Sequence, residues 1–214
     1  MQGLNFGKKE GLNILCLGAH CDDIEIGLGC TLLKLIEEYS IEEIWWVVFT
    51  SNPARKSEAE TSASWYLERI SKKNVIVHSL RDGFLPFTAD KVKELFEAIK
   101  KDFTPDVIFT HYRNDRHQDH RLVSDLTWNT WRNHFILEYE IPKYDGDIGN
   151  PNFYVPITEE ILRKRNELLL KAFPTQASKH WFDEQTFSSL PRLRGMESAS
   201  KFAEAFYARK VILN

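Results

Sequence analysis

The sequence predicts an α/β fold in which helices cover both faces of a mostly parallel central sheet. Short apolar runs alternate with longer segments of helical spacing, as right-handed strand–helix–strand crossovers require. The run at 44–50 is continuously apolar, which suits a parallel strand buried on both faces. Two of the runs lead directly into short polar loops, which is where open α/β sheets bind ligands.

The first half of the chain repeats this strand–helix unit. Strands are predicted at 14–17, 44–50, 75–77 and 106–109. Helices are predicted at 28–36, 56–70 and 89–100, and a further helical pattern covers 122–128. The helix at 89–100 has the clearest amphipathic spacing, with Val92, Leu95, Phe96 and Ile99 on one face.

The last third is less regular. A strand is predicted at 135–141, a polar loop at 143–151, another strand at 153–157 and a helix at 159–173, which Pro174 ends. Residues 201–207 look helical and 210–213 look like a final strand, whereas 175–194 has few periodicities. The predicted architecture is a Rossmann-like three-layer sandwich, formed by a single domain over residues 1–214.

Composition excludes several classes of protein. Hydrophobic residues make up 43% and charged residues 28% of the 214, which is ordinary for a soluble globular domain. The net charge of −3 without a basic block argues against a nucleic-acid partner. No apolar stretch approaches the roughly 18 residues of a membrane span. Residues 1–10 lack a signal-peptide pattern, so we expect a cytoplasmic protein.

Cysteine usage and glycine patterns exclude two further features. Cys16, Cys21 and Cys30 are too few and too close together for a disulfide framework. No Gly-x-Gly-x-x-Gly follows the first predicted strand, which argues against a dinucleotide.

The first polar loop carries one imidazole and two adjacent carboxylates, at His20, Asp22 and Asp23. His20 and Asp23 are three residues apart and can chelate one ion from a single turn. Both ligand types suit zinc, at about 2.0 to 2.2 Å, and a catalytic zinc site usually takes three protein ligands. A third ligand must therefore come from elsewhere. The alternative is an ordinary capped helix start, with Asp22 or Asp23 as the N-cap.

The second polar loop, residues 110–120, follows the fourth predicted strand and precedes a helical pattern. Its spacing puts His117 and His120 on one face of that helix. Taken alone, this is also typical of a solvated helix start. Two such loops at the ends of two apolar strands favour a shared metal site.

The two motifs resemble those of a known family. Ala19–Glu25 reads Ala-His-Cys-Asp-Asp-Ile-Glu and His117–His120 reads His-Gln-Asp-His. They are similar to Ala-His-Pro-Asp-Asp-x-Glu and His-Pro-Asp-His of the PIG-L/LmbE-like N-acetylglucosaminyl deacetylases. Weaker similarities extend the resemblance over nearly the whole chain: Asp82-Gly83, Arg194-Gly195 and Ala203-Glu204-Ala205-Phe206. Cys21 and Gln118 replace the usual prolines, and both changes bear on loop rigidity.

The resemblance implies a zinc-dependent hydrolase with His20, Asp23 and His120 as metal ligands. Iron(II) would tolerate the same two-histidine, one-carboxylate set. The implied substrate is a small N-acetylated glycoconjugate that contains N-acetylglucosamine. The sequence leaves open the rest of that molecule and the oligomeric state, a homo-oligomer included. Two alternatives are a metal-dependent amidase for another N-acyl substrate and a sugar-binding protein with a relic site.

Three further residues have candidate roles in this chemistry. Asp22 would be the general base that accepts a proton from the attacking water, or else only a helix cap. His117 would stabilise the oxyanion as a donor, or else act as a fourth metal ligand. Asp119 would orient an imidazole from behind, or else be a helix-start carboxylate.

Arg55 and Asp82 are candidates for substrate binding because they lie in loops after the second and third predicted strands. In the family, similar positions contact sugar hydroxyls. The alternatives are a surface cation for Arg55 and an ordinary Asp-Gly turn for Asp82. Among the remaining histidines, His111 at the end of the fourth strand is the one nearest to the predicted site.

Overall fold

A computed structural model describes residues 11–212, and seven strands in this part form one sheet. In chain order they are β1 (Leu12–Gly18), β2 (Ile41–Thr50), β3 (Lys73–Leu80), β4 (Val107–His111), β5 (Phe135–Tyr139), β6 (Phe153–Ile157) and β7 (Phe202–Ala208). The spatial order is β3-β2-β1-β4-β5-β7-β6. The first five of these are parallel, whereas β7 runs antiparallel to β5 and β6. The predicted fold class, an α/β sandwich on a mostly parallel sheet, is confirmed.

Six α-helices cover the sheet within the described residues: α1 (Asp23–Glu38), α2 (Pro53–Tyr66), α3 (Ala89–Asp102), α4 (Gln118–Thr130), α5 (Glu159–Ala172) and α6 (Glu184–Glu197). Two separate apolar cores lie on opposite faces of the sheet. Helices α1, α2, α5 and α6 contribute to one core, and α3 and α4 contribute to the other. The molecule therefore has three layers.

Strand β1 explains why the sequence pattern is continuously apolar there. Ile14 and Cys16 point into one core while Leu15 and Leu17 point into the other, and all four are fully buried. Burial of each large aliphatic side chain contributes about 1.5 to 3 kcal/mol. Strand β1 pairs with β4, so the polar loops that follow these two strands emerge side by side.

One predicted helix has different bounds in the structure, and α1 packs closely against the sheet at a glycine. The helix predicted at 56–70 is α2, which begins earlier because Asn52 caps it by accepting the amide of Arg55 at 3.0 Å. It ends at Tyr66. In α1, a Cβ on Gly27 would lie 2.2 Å from a ring carbon of Tyr139 in β5. Glycine at this position therefore allows the helix to approach the sheet.

The helix predicted at 201–207 is wrong, because residues 202–207 lie in β7. Alanine and glutamate have high helix propensity, yet the strand lies between β5 and β6 and is buried along nearly its whole length. Burial on both faces removes the alternation that indicates a strand. Glu204 is buried because its carboxylate accepts the amides of Cys30 and Thr31 in α1, at 3.0 and 2.6 Å.

Two other expectations for the last third need correction. The final strand predicted at 210–213 is wrong for residues 210–212, which have no regular structure, and Leu213 lies outside the described residues. The weakly patterned stretch 175–194 contains most of α6, which has Pro191 inside it. Residues 1–10, where the sequence lacks a signal-peptide pattern, are also outside the described part. Within residues 11–212, no helix combines the length and apolar character that crossing a bilayer requires.

Candidate metal centre

The site forms where the loops after β1 and β4 meet. Strand β1 ends at Gly18 and α1 begins at Asp23, so the first motif is a four-residue loop followed by a helix start. Strand β4 ends at His111, and α4 begins at Gln118. The amide of Ala19 donates to His111 Nε2 at 2.9 Å, which joins the two loops directly.

Three side chains present donor atoms to a common point. His20 Nδ1 lies 3.1 Å from His120 Nε2 and 3.3 Å from Asp23 Oδ2, and His120 Nε2 lies 3.5 Å from Asp23 Oδ1. Tetrahedral ligands about 2.0 to 2.2 Å from zinc are about 3.3 to 3.6 Å from one another. The two contacts of Asp23, made by its two different oxygens, fall in this range, and the distance between the imidazole nitrogens is slightly shorter. The three side chains are therefore close enough together to share one ion.

Other donors overlap with this set. Within the described residues, three groups have donor atoms within 4.8 Å of one another: His20, His117 and His120; Asp23, His111 and His120; and His20, Asp82 and Asp119. Imidazole nitrogens and carboxylate oxygens are the ligand types that zinc and iron(II) accept. The residues present therefore fit a divalent cation.

His120 is oriented by Asp115, a residue that the sequence did not identify. His120 Nδ1 donates to Asp115 Oδ2 at 2.8 Å, which turns Nε2 toward His20 and Asp23. Burial, followed by the neighbouring His111, lowers the pKa of His120 to about 3, so its imidazole is neutral. A carboxylate behind a ligand histidine fixes its tautomer and ring orientation.

Asp115 is itself held by several donors. Its Oδ1 accepts the amide of His117 at 2.7 Å, and Lys143 Nζ lies 2.7 Å from its Oδ2. Burial raises the pKa of Asp115, but His120 and Lys143 outweigh it and hold that pKa well below its usual range. The sequence gives no signal for this contact, because Lys143 comes from the loop after β5.

The electrostatic field at the site favours a cation. Burial lowers the pKa of His20, but the surrounding carboxylates, Asp23 foremost, raise it well above its ordinary value. Burial raises the pKa of Asp23, but the three neighbouring imidazoles outweigh it and hold that pKa well below its ordinary value. The same negative field that attracts a proton to His20 attracts a divalent cation.

Asp22 precedes the donor residue Asp23 in the chain, and its side chain contacts Arg55. Asp22 Oδ1 is 3.0 Å from Arg55 Nη2, and Arg55 Nη1 is 3.1 Å from Glu58 Oε2. Asp22 occupies the N-cap position of α1, but its side chain makes no capping hydrogen bond with the described residues. The structure therefore gives the capping alternative no support. Arg55 is largely buried against two carboxylates rather than exposed on the surface.

His117 lies next to the rings of His20 and His120, at the start of α4. Its Nδ1 accepts the amide of Asp119 at 3.3 Å, so Nε2 carries the proton of the neutral ring. The rings of His117 and His20 are perpendicular, with centroids 4.7 Å apart. Burial, and next the charge of His20, lowers the pKa of His117 below its ordinary value.

Asp119 and Asp82 meet at the other ring nitrogen of His20. Asp119 is fully buried and accepts the amides of Gly83 and Leu85 at 2.7 and 3.1 Å. Its Oδ2 is 3.4 Å from His20 Nε2, and Asp82 Oδ1 is 3.1 Å from the same atom. Asp82 keeps 76% of its side chain exposed. The structure thus brings both predicted residues to His20.

His111 and Cys21 are buried next to the donor set. His111 stacks on His120 with centroids 3.9 Å apart, and its Nε2 is 3.2 Å from Asp23 Oδ2. The Cys21 thiol donates to the carbonyl of Thr50 at 3.4 Å. Burial raises the pKa of Cys21 to about 12, so the side chain is a neutral thiol.

Comparison with protein families shows which family the chain belongs to. The sequence model described as "PIG-L: GlcNAc-PI de-N-acetylase" matches residues 15–131, which is more than half of the 214 residues. The chain belongs to the PIG-L family. The match begins within β1 and ends just after α4, so both polar loops of this PIG-L protein lie inside it.

Several solved structures share the fold of this PIG-L protein. A conserved protein from Thermus thermophilus is 18% identical, with a TM-score of 0.76, and the match covers 95% of this chain and 97% of that one. N,N'-diacetylchitobiose deacetylase from Pyrococcus horikoshii is 22% identical, with a TM-score of 0.71 and coverage of 92% and 83%. A 4-carboxy-2-hydroxymuconate hydratase from Pseudomonas putida is 13% identical, with a TM-score of 0.72 and coverage of 95% and 98%. The fold therefore supports more than one chemistry, and function must be argued from the site.

Proposed function

We propose that this PIG-L protein is a zinc-dependent deacetylase that removes the acetyl group from a small molecule containing N-acetylglucosamine. The observation that carries the proposal is the close approach of the His20, Asp23 and His120 donor atoms, which lie 3.1 to 3.5 Å apart, with Asp22 next to Asp23 in the chain. Family membership supports deacetylation, and one relative of the same fold is a diacetylchitobiose deacetylase by name.

In this proposal His20, Asp23 and His120 hold the ion, and iron(II) is the alternative metal. Bound zinc would supply a Lewis acid and lower the pKa of a bound water from about 15.7 toward 7. Asp23 contributes the one negative charge among the three ligands, so the site stays electron-poor. Asp115 fixes the ring of His120, and Asp119 lies behind His20 as the predicted orienting carboxylate.

Asp22 would act as the general base. Its side chain is nearly buried, it adjoins the proposed ligand Asp23 in the chain, and Arg55 holds one of its oxygens at 3.0 Å. The other oxygen can accept a proton from the attacking water and then transfer it to the nitrogen of the departing amine. The amide C–N bond breaks, and the products are acetate and the free amine. Arg55 would thus act mainly by positioning Asp22, with substrate contact as its predicted second role.

His117 would stabilise the tetrahedral oxyanion. Because its Nδ1 accepts the amide of Asp119, its Nε2–H is free to donate toward the reacting carbonyl. A preorganised donor of this kind contributes about 3 to 4 kcal/mol to the transition state. Asp82, which is exposed and lies 3.1 Å from His20 Nε2, would accept hydrogen bonds from sugar hydroxyls.

The test begins with metal-free protein that is reloaded with one equivalent of zinc. The zinc-loaded protein should release acetate from N-acetylglucosaminides, and the metal-free protein should not. Asp22→Asn should lower kcat by about 10² to 10⁴ while zinc still binds. Asp90→Asn, which removes a carboxylate from α3 outside the site, is the matched control and should keep full activity.

The substrate panel decides between the candidate activities. Acetate release from N-acetylated amino acids or peptides, without release from N-acetyl sugars, would replace the sugar deacetylase with another amidase. Binding of N-acetylglucosaminides by the zinc-loaded protein without any acetate release would indicate a sugar-binding protein. Equal activity before and after metal removal would contradict the role of zinc.

A further inference from the structure

The turn after β3 is fastened to the start of α4 by three hydrogen bonds. Asp119 accepts the amides of Gly83 and Leu85, and Gln118 Nε2 donates to the carbonyl of Gly83 at 3.1 Å. Both backbone polar groups of Gly83 are therefore held by neighbouring residues of the second motif. Gly83 has a φ of +78°, a conformation that glycine adopts without strain.

Gln118 is the residue that departs from the usual motif. It is the first residue of α4, a position that proline fills well because the amide there has no helical partner. Proline, however, has no side-chain donor. The chain thus replaces a stiff residue with one that reaches across to the neighbouring turn.

The turn carries Asp82, whose position is set by the backbone on its carboxyl side. Asp82 Oδ1 approaches His20 Nε2 at 3.1 Å, and most of the side chain is open to solvent. An exposed aspartate has several rotamers, so the backbone that carries it must be held for the carboxylate to stay in place. The Gly83 carbonyl, one residue along, is the atom that Gln118 holds.

We propose that Gln118 is a positioning residue that clamps the Asp82 turn to the metal-binding loop and so fixes where Asp82 meets the substrate. This inference rests on the proposed function and assigns a role to the position where the chain departs from its family motif. Among the described residues, the Gln118 side chain makes its hydrogen bond to Gly83 and none to the three proposed ligand atoms. Its loss should therefore act on the turn rather than on the metal.

Two variants remove the clamp in different ways. Gln118→Leu keeps the size of the side chain without its donor, and Gln118→Pro introduces the residue usual in the family motif at a position that tolerates it. In both, we expect KM for an N-acetylglucosaminide to rise about three- to tenfold with kcat within about twofold, as loss of substrate binding alone predicts. Zinc affinity should stay within about twofold.

A double-mutant cycle shows whether Gln118 acts through Asp82. Asp82→Ala alone should raise KM, and adding Gln118→Leu to it should raise KM no further, because the clamp then holds nothing that binds substrate. Additive effects on KM would overturn the proposal, since they would place Gln118 on a separate route to the substrate.

Amide hydrogen exchange tests the clamp without substrate or turnover. In Gln118→Leu, the amides of Gly83 and Leu85 should exchange about threefold faster or more than in the wild-type protein, while the β1 core amides stay unchanged. Equal exchange at Gly83 would overturn the clamp. If the zinc-loaded wild-type protein releases no acetate, the proposed function fails, and the exchange measurement still decides whether the clamp exists.

Discussion

Asp115 is a single side chain that orients a proposed metal ligand. It accepts a hydrogen bond from His120 Nδ1 at 2.8 Å, and its other oxygen is occupied by the amide of His117. Nothing in the residue types of the second motif indicates this contact, because it depends on how the loop folds back before α4. Residue type and spacing selected the candidate histidines and carboxylates, but they carry no information on the directions of the side chains.

We predict that Asp115→Asn weakens zinc binding about 10- to 100-fold, because partners behind ligand histidines contribute that much to metal affinity. Competition with a chromophoric chelator measures the dissociation constant. Asp147→Asn is the matched control: Asp147 lies 2.6 Å from Lys143 and Asp115 lies 2.7 Å from it, but the structure gives Asp147 no contact with His120. Equal losses in the two variants would show that only the charge near Lys143 matters.

Glu25 provides a prediction about pH. It is fully buried near Asp22, and its carboxyl oxygens have no hydrogen-bond partner with good geometry among residues 11–212. Burial raises the pKa of Glu25 to about 8, against the weaker effects of Ser62 and Arg55. The unfolded chain loses this proton near about pH 4.3, whereas the folded protein keeps it, so stability falls as pH rises between these values.

We predict that Glu25→Gln removes this pH dependence. Relative to the variant, wild-type protein should lose about 1.4 kcal/mol of unfolding free energy per pH unit between about pH 5 and 8, with no further loss above that. Urea denaturation between about pH 5 and 9, with a chelator present to keep both proteins metal-free, measures the difference. A constant difference across this range would mean that Glu25 ionises normally in the fold.

At the level of elements, prediction succeeded where an element buries a single face. Helix α3 has Val92, Phe96 and Ile99 buried and charged residues outside, so its sequence period reports its packing. The prediction for β7 failed because both faces of this strand are covered and its alanines and glutamate favour a helix. Helix α6 was not predicted, because its apolar pattern is weak and Pro191 lies inside it. Such elements are defined by neighbours that come from distant parts of the chain.

Glu204 links β7 to α1 and should matter for stability. It accepts two amides of the helix and lies near the fully buried guanidinium of Arg165. We predict that Glu204→Leu lowers the free energy of unfolding by about 2 to 4 kcal/mol. Two hydrogen bonds to the carboxylate are lost, and the buried guanidinium of Arg165 loses a nearby negative charge. Glu204→Gln, which keeps one acceptor oxygen, should cost less.

Urea denaturation measures these changes. Glu167→Gln, on the exposed face of α5, is the control and should change stability by no more than about 0.5 kcal/mol. A Glu204→Leu variant as stable as the control would show that the helix amides and Arg165 find other partners.

For the whole molecule, the site links parts of the chain that are far apart in sequence. His20 and His120 are separated by 100 positions, and they meet because β1 and β4 are neighbours in the sheet. Crossover rules restrict the order of the strands but do not say which strands are neighbours. Residue spacing alone could therefore suggest, but not establish, that His20 and His120 lie close together. An ion held by both loops would bind the folded chain far better than the unfolded one.

Zinc should therefore stabilise the fold through its binding energy. At free zinc about 100 times the dissociation constant, binding only to the native state adds about 2.7 kcal/mol, which corresponds to a rise in Tm of about 5 to 10 °C for a domain of this size. Asp23→Asn removes the anionic ligand, so its Tm should shift far less with zinc. Asp125→Asn, at an exposed position of α4, should respond as the wild-type protein does. Differential scanning calorimetry with and without zinc measures all three. An equal zinc shift in Asp23→Asn would place the ion elsewhere, because Asp23 is the carboxylate that approaches both imidazoles of the proposed ligand set.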